Sequence, residues 1–383
     1  VTSPAGEDPA VLDDPAQLEA RDPGGMLRAT ASAGAQVREA VLRLDTDAVA
    51  RTVADGRPRA LVVLGMGGSG IAGDVVAAVT GPACAVPVST CRGYRLPGWV
   101  GPMDLVVAVS CSGETEETLA ATDEALRRGA RVVTVGRAGS SIARRAEAGH
   151  AVHLSVDAGG RMPRAALWTL VTPLLVLIDG LAMASVPPGL LAGVADQLDE
   201  IAQRCGPASD TYENPAKQLA LQLSGSLPHL WGASEVASVA ALRMSCQLAE
   251  NAKLPSVHGA LTEVHHNQVV ALAGRYGSGA GDPAQDIFRD PLLDGPARER
   301  MRILLLRDTE ELEPVARRAA ATVSLAEAYG VAVDHLQATG EHPIERMASL
   351  IAPLDFASVY LALLEGTDPT PIDPIVSLKK VGT

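Results

Sequence analysis

The chain has 383 residues, 47% of them apolar, which is enough for two α/β domains, each with its own core. Its 45 acidic and 32 basic residues give a formal charge of -13, no Lys/Arg cluster is long enough to track a phosphate backbone, and aromatic residues are only 3%. These features argue against nucleic acid as a partner and against a large aromatic sugar-binding surface. The five cysteines, Cys84, Cys91, Cys111, Cys205 and Cys246, form no CxxC pair and have no histidine at zinc spacing. That pattern fits a reducing cytoplasm better than a disulfide framework or a structural metal.

The opening segment VTSPAGEDPAVLDDPAQ is acidic and Pro-rich, with neither the basic nor the apolar region of a secretory signal, and a loose leader is expected over 1–25. From Ala60 the pattern becomes strand, glycine loop, helix: Ala60 to Leu64 is an apolar run, GMGGSG follows, and Ile71 to Val79 has helical spacing. Further strands are expected near 86–89, 104–109 and 131–135, with helices over 115–128 and 141–149. This alternation predicts a doubly wound α/β domain with a parallel sheet. The nearly continuous apolar stretch 165–184 contains Pro173 and Asp179 and reads as a buried helix rather than a membrane span. A helix near 190–205 and the polar segment GPASDTYENPA place a domain boundary near 212, giving 26–212 and 213–383. The second half repeats the theme, with strands at 228–231, 301–307 and 331–337 and helices at 236–252, 312–329 and 344–364. Residues 274–298, rich in Gly, Asp and Pro, read as a surface excursion.

Two loops carry anion-binding chemistry. Gly65-x-Gly67-x-x-Gly70 fits a dinucleotide fingerprint, but the acidic residue expected about 20 positions on is absent; Ser89, Thr90, Cys91 and Arg92 stand there instead. The other reading is a phosphomonoester site, because glycines let backbone amides approach an anion at a helix N-terminus. Ser110-Cys111-Ser112-Gly113-Glu114-Thr115 favours it by adding three hydroxyls at a second strand end. Helix capping is the competing explanation for Ser112 and Thr115.

VLGMGGSGIAGD and SCSGETEETL resemble the two loops of a sugar isomerase (SIS) domain. Together with GRMPRAAL, ENAK at 250–253, TEVHHNQ at 262–268, DPTPI and a terminal LK, they resemble the bifunctional phosphoglucose/phosphomannose isomerase family over nearly the whole chain. The resemblance implies two SIS domains in tandem, each a flavodoxin-like three-layer sandwich, with the C-terminal tail returning to the active site. It implies a homodimer that interconverts glucose 6-phosphate or mannose 6-phosphate with fructose 6-phosphate through an enediolate, with no metal or cofactor. By motif match, Gly67, Gly68, Ser69, Ser110, Ser112 and Thr115 would hold the phosphate and Arg164 would stabilise the enediolate. Glu250 would move the proton, and His266, supplied by the neighbouring subunit, would assist ring opening. Lys379 would contact the ring oxygen, and Thr370 would help admit the mannose epimer.

The chemistry asks for the same types. Moving a proton alpha to a carbonyl needs a carboxylate base, the enediolate needs a fixed cation, and ring opening needs a group that exchanges protons near neutrality. The chain departs from the family pattern at Glu114, Ser245, His265 and Gln268. A sugar-phosphate-binding protein without turnover, a sensor or partner subunit, is the alternative; it has no need of base, cation and histidine together.

Overall fold

The computed structural model describes residues 8–278 and 299–381. They belong to two compact units, Ala29–Glu200 with Glu341–Ala348, and Val1–Arg28 with Ile201–Gly340 and Ser349–Thr383. The helices ahead of the first strand are α1 (Pro15–Arg21), α2 (Met26–Ala31), α3 (Ala33–Arg43) and α4 (Thr46–Ala54).

The first sheet is built from β1 (Leu61–Leu64), β2 (Val88–Cys91), β3 (Leu105–Ser110), β4 (Arg131–Gly136) and β5 (Val152–Ser155). Helices α5 (Gly67–Thr80), α6 (Glu116–Arg127) and α7 (Ser141–Ala148) connect them, and α8 (Leu167–Gly180) and α9 (Leu190–Arg204) follow. All pairings are parallel, in the order β2-β1-β3-β4-β5. The central strands LVVL and LVVAVS are buried at every residue, because helices cover both faces of a parallel sheet and leave no solvent side to a polar residue. On one face Val62, Leu64, Val106 and Ala108 pack with Ala121 and Ala125 of α6 and Ile142 of α7. Helix α8 packs against α3 and α5 and is buried along nearly its whole length, as expected of the apolar stretch 165–184.

The second sheet follows the same plan with one strand fewer among the described residues. Helix α10 (Pro215–Leu223) leads into β6 (Ser226–Gly232), α11 (Glu235–Gln247), a π turn at Leu248–Ala252, β7 (Val257–Ala260) and α12 (Leu261–Val264). Then come β8 (Arg300–Arg307), α13 (Glu313–Ala328), β9 (Ala332–Gln337), α14 (Pro343–Leu364) and α15 (Asp373–Val381). The parallel order β7-β6-β8-β9 repeats β2-β1-β3-β4. Trp231, Ile303 and Leu305 pack with Leu261, Val264 and Ala319 on one side. Among the described residues α14 is the one helix long and apolar enough to cross a membrane, and its apolar stretch is wholly buried, as in a core helix.

Three features differ from the sequence expectation, and one lies largely outside the described residues. Strands β5 and β7 were not expected: VHLS and VHGA are short edge strands, half-exposed and interrupted by His, Gly or Ser, so they lack an apolar run. The expected helix 236–252 is α-helical only to Gln247 and then widens into the π turn. Of the excursion at 274–298, residues 279–298 lie outside the described residues. The leader is not loose from Asp8 onward. Asp8 and Asp14 cap two short helices that begin at Pro9 and Pro15, and Val11, Leu12 and Leu18 are buried. Asp13 accepts hydrogen bonds from Thr211 N (2.7 Å) and Thr211 Oγ1 (2.8 Å), and Arg21 Nη1 donates to Leu363 O at 2.8 Å. The Asp-Pro pairs that look like linker composition are helix starts, with Pro at the position whose N–H has no partner to lose.

Leu12 is completely buried. Leu12→Ala should therefore lower the unfolding free energy in urea by about 2–5 kcal/mol; a change within about 0.5 kcal/mol, the usual range for a surface substitution, would mean that the segment adds nothing to the core.

Candidate active site

In an open parallel sheet, ligands bind outside the carboxyl ends of two neighbouring strands whose connections leave in opposite directions. In the first unit those strands are β1 and β3, and both candidate loops lie at their carboxyl ends. Helix α5 starts at Gly67 after Met66, and α6 starts at Glu116 after Thr115; neither preceding side chain caps its helix. The first amides of both helices are thus left to an outside acceptor, and the helix dipoles favour an anion there. Thr115 instead turns its hydroxyl to Ser110 Oγ, 3.0 Å away, and Ser110 Oγ also accepts from Gly113 N at 3.1 Å. Ser112 Oγ accepts from Glu114 N at 3.2 Å, and Ser69 Oγ accepts from Cys111 N at 3.3 Å, which joins the two loops. Ser69 and Ser110 are buried, Gly67 and Ser112 are exposed, and Gly68 and Thr115 lie between. Burial pushes the Cys111 thiol up, so it adds no negative charge to the cradle.

The turn that carries Arg164 lies against the first of these loops. Arg164 sits in the 3-10 turn Pro163–Ala165 and is buried, with 3% of its surface exposed. A Cβ at Gly68 would stand 3.1 Å from Pro163 O and 3.8 Å from the Arg164 Cα, so the turn lies directly against the glycine loop and a larger residue at 68 would push it away. Gln36 of α3, itself buried, fixes the turn: its amide donates to Ala165 O at 2.8 Å, and its carbonyl accepts from Thr169 N and Oγ1. Sequence reasoning missed Gln36; its signal was a lone amide on the buried face of an amphipathic helix.

In the second unit Glu250 is half-buried on the π turn, a widening of the helix often found at functional positions. Lys253 follows with φ +59°, and its ammonium donates to Glu250 O (2.7 Å) and Asn251 O (3.3 Å) and lies 3.5 Å from Pro369 O. The DPTPI tail is therefore brought beside the Glu250 turn. Thr370 N donates to Asp368 Oδ1, and the Thr370 hydroxyl packs so closely on Gly24 that a Cβ there would lie 2.0 Å from it. His266 is exposed in the turn after α12, and Lys379 is exposed on α15.

Each departure from the family pattern has a local partner. The Glu114 carboxylate turns to the start of α7, accepting from the Ser141 hydroxyl and, at 2.9 Å, from Ser141 N; these bonds hold it below the usual carboxylate range. Its charge is spent on a helix N-terminus. Ser245 accepts from Ser256 Oγ at 2.9 Å, and Gln268 joins Trp231 Nε1 (3.0 Å) to His258 O (3.2 Å). His265 Nε2 meets Thr322 Oγ1 at 2.7 Å, and burial, aided by Arg318 and His266, pushes its ring below the usual histidine range.

Residues 57–184 match the SIS domain model, and 212–381 match the model of the bacterial phospho-glucose isomerase C-terminal SIS domain. The fold is similar to that of a solved protein from Clostridium difficile 630 described as a putative phosphosugar isomerase, with TM-score 0.68 and 15% identity over 94% of this chain and 98% of that one. It is also similar to the C-terminal domain of glucosamine-fructose-6-phosphate aminotransferase from Francisella tularensis, with TM-score 0.64 and 16% identity over 90% and 96%. The bifunctional phosphoglucose/phosphomannose isomerase of Aquifex aeolicus is 27% identical, over 84% of this chain and 90% of the relative. The protein of the same name from Caldicellulosiruptor bescii is 32% identical, over 83% and 88%. With the two domain models in tandem order and relatives matched along most of both lengths, the chain belongs to the bifunctional phosphoglucose/phosphomannose isomerase family.

Proposed function

We propose that the protein is an aldose-ketose isomerase that interconverts fructose 6-phosphate with glucose 6-phosphate and mannose 6-phosphate. The observation that carries this reading is the junction of the two uncapped helix starts at β1 and β3 with the Arg164 turn lying on Gly68. Such a junction suits a phosphate on one side and a developing oxyanion near a fixed guanidinium on the other.

The sugar phosphate is held by the amides of Gly67 and Gly68 and by Ser69, Ser110, Ser112 and Thr115. His266 opens the pyranose ring by moving a proton between the ring oxygen and the anomeric hydroxyl, with Lys379 at the ring oxygen. Glu250 takes the proton from C2 of the open aldose and returns it to C1, the hydroxyl proton passes from O2 to O1, and Arg164 bears the negative charge of the enediolate. An arginine suits that place because it stays charged throughout. Returning the proton to either face of C2 from the ketose gives the two epimers, and Thr370 shapes the space at that carbon. The protein acts in the cytoplasm as a homodimer, with His266 supplied across the interface; the exposure of that ring in the single chain supports this assignment.

The test follows turnover of fructose 6-phosphate to each aldose separately. Glu250→Gln should lower kcat by about 10²- to 10⁴-fold, the worth of a general base, with little change in KM. Arg164→Lys, which keeps the charge and loses the planar fork, should lower kcat by about 10²-fold or more. A wild type that is inert while fructose 6-phosphate raises its melting temperature would establish a binding protein instead. Co-expressed Glu250→Gln and His266→Ala chains should recover turnover that neither has alone; no recovery would place His266 in the same subunit as its Glu250. Glu114→Gln should shift KM by less than about threefold, because an exposed carboxylate turned to another helix is screened from the phosphate. A large fall in KM would show that Glu114 repels it.

A further inference from the structure

A buried polar chain joins α11 and the π turn to α14. Arg243 Nε donates to Asp355 Oδ1 at 2.9 Å and Arg243 Nη2 to Asp355 Oδ2 at 2.6 Å, a two-point fork, and Gln247 Nε2 adds a third bond to Oδ1 at 3.1 Å. One step along, Asn251 Nδ2 donates to Ser358 Oγ at 2.9 Å, and Ser358 Oγ donates to Asp355 O at 2.7 Å. All five residues are buried. Arg243 and Gln247 are four apart on one face of α11, Asn251 follows on the π turn, and Asp355 and Ser358 are three apart on the facing helix. Burial pushes the Asp355 carboxyl up while the Arg243 guanidinium and the Gln247 amide pull against it.

The bonds grip the backbone on the near side of Glu250 and immediately after it. Gln247 is the last α-helical residue, Asn251 is the next residue after Glu250, and the π turn lies between. A π turn gives up regular helix hydrogen bonding, and the Lys253 ammonium takes the carbonyls of Glu250 and Asn251. Stability alone would be served by apolar packing between the two helices, which costs no desolvation of an ion pair. A directional fork followed by an amide-hydroxyl pair instead fixes rotation and register of one helix on the other.

We propose that Asp355 and Ser358 are positioning residues for the isomerase reaction: through Arg243, Gln247 and Asn251 they hold the π turn so that the Glu250 carboxylate faces the substrate carbon. This rests on Glu250 being the base. The expected signature is a loss in kcat with KM retained, because the phosphate loops belong to the other unit and keep their own hydrogen bonds.

The experiment replaces the fork by apolar residues of similar size, Arg243→Met with Asp355→Leu, in the full-length protein, beside Ser358→Ala and Glu250→Gln. Thermal unfolding is measured with kcat and KM for fructose 6-phosphate. The double variant should unfold within a few degrees of the wild type, since a buried pair exchanged for apolar packing is often neutral. Its kcat should fall about 10- to 100-fold, the effect of a carboxylate displaced by about 1 Å, with KM within about threefold. Should it not fold, Ser358→Ala carries the same test, because it removes only a neutral hydroxyl, the acceptor for Asn251 and the donor to Asp355 O. Combined with Glu250→Gln, either change should cost little more, as residues that act as a unit are non-additive. A folded network variant with wild-type kcat, or a loss undiminished in the Glu250→Gln background, would overturn the proposal while leaving Glu250 as base. Full turnover by Glu250→Gln itself would remove the base and the positioning role together.

Discussion

Two helices that start without a side-chain cap, on adjacent strands of one sheet, set the terms for the rest of the first unit. The amides at the beginnings of α5 and α6 would be costly to bury without an acceptor, and the hydroxyls that might have capped them are engaged within the loops, Ser110 with Thr115 and Ser112 with Glu114 N. Two helix starts of this kind are a place suited to an anion. Glycine at 68 lets the Arg164 turn close on the loop, Gln36 fixes that turn from behind, and the thiol of Cys111 stays protonated.

The same logic explains why residues that differ from the family pattern do not disturb the fold. A carboxylate at 114 would oppose a bound phosphate if it pointed inward, but the start of α7 offers it a hydroxyl and an amide, a better place for a negative charge than solvent. Gln268 bridges two elements that a charged residue would have bridged at greater desolvation cost, and His265, held neutral by burial, settles on the Thr322 hydroxyl. Each substitution is compatible because its new polar atoms found a neighbour within the same unit.

The alternation of apolar runs with helical spacing made the two parallel sheets legible, because strands such as LVVL and LVVAVS are buried on both faces and tolerate little but aliphatic residues. The two loops at the carboxyl ends of β1 and β3 were legible as loops because runs of Gly and Ser interrupt the apolar pattern there. Edge strands β5 and β7 were not, since their exposed sides accept His and Ser. Neither was the π turn, whose extra residue leaves no mark in an apolar pattern, nor the Arg243–Asp355 fork, whose partners lie 112 positions apart. Roles at Glu250, His266, Lys379 and Thr370 came from motif resemblance and not from local pattern, because a single charged or hydroxyl residue on a helix or tail looks the same whether it works or only faces water.

The N-terminal segment has a consequence for how the protein is made. Residues up to Arg28 share a compact unit with 201–340 and 349–383, whereas Ala29–Glu200 belong to the other. At a synthesis rate of about 5–20 residues per second, Val11, Leu12 and Leu18 leave the ribosome and wait on the order of 10 to 35 seconds before their partners begin to emerge, while the first sheet has time to form. Helices of five and seven residues are too short to hold together alone, so those apolar side chains stay exposed until the rest of their unit arrives. The cost of an early start is a long open loop in the nascent chain, which grows only with the logarithm of its length.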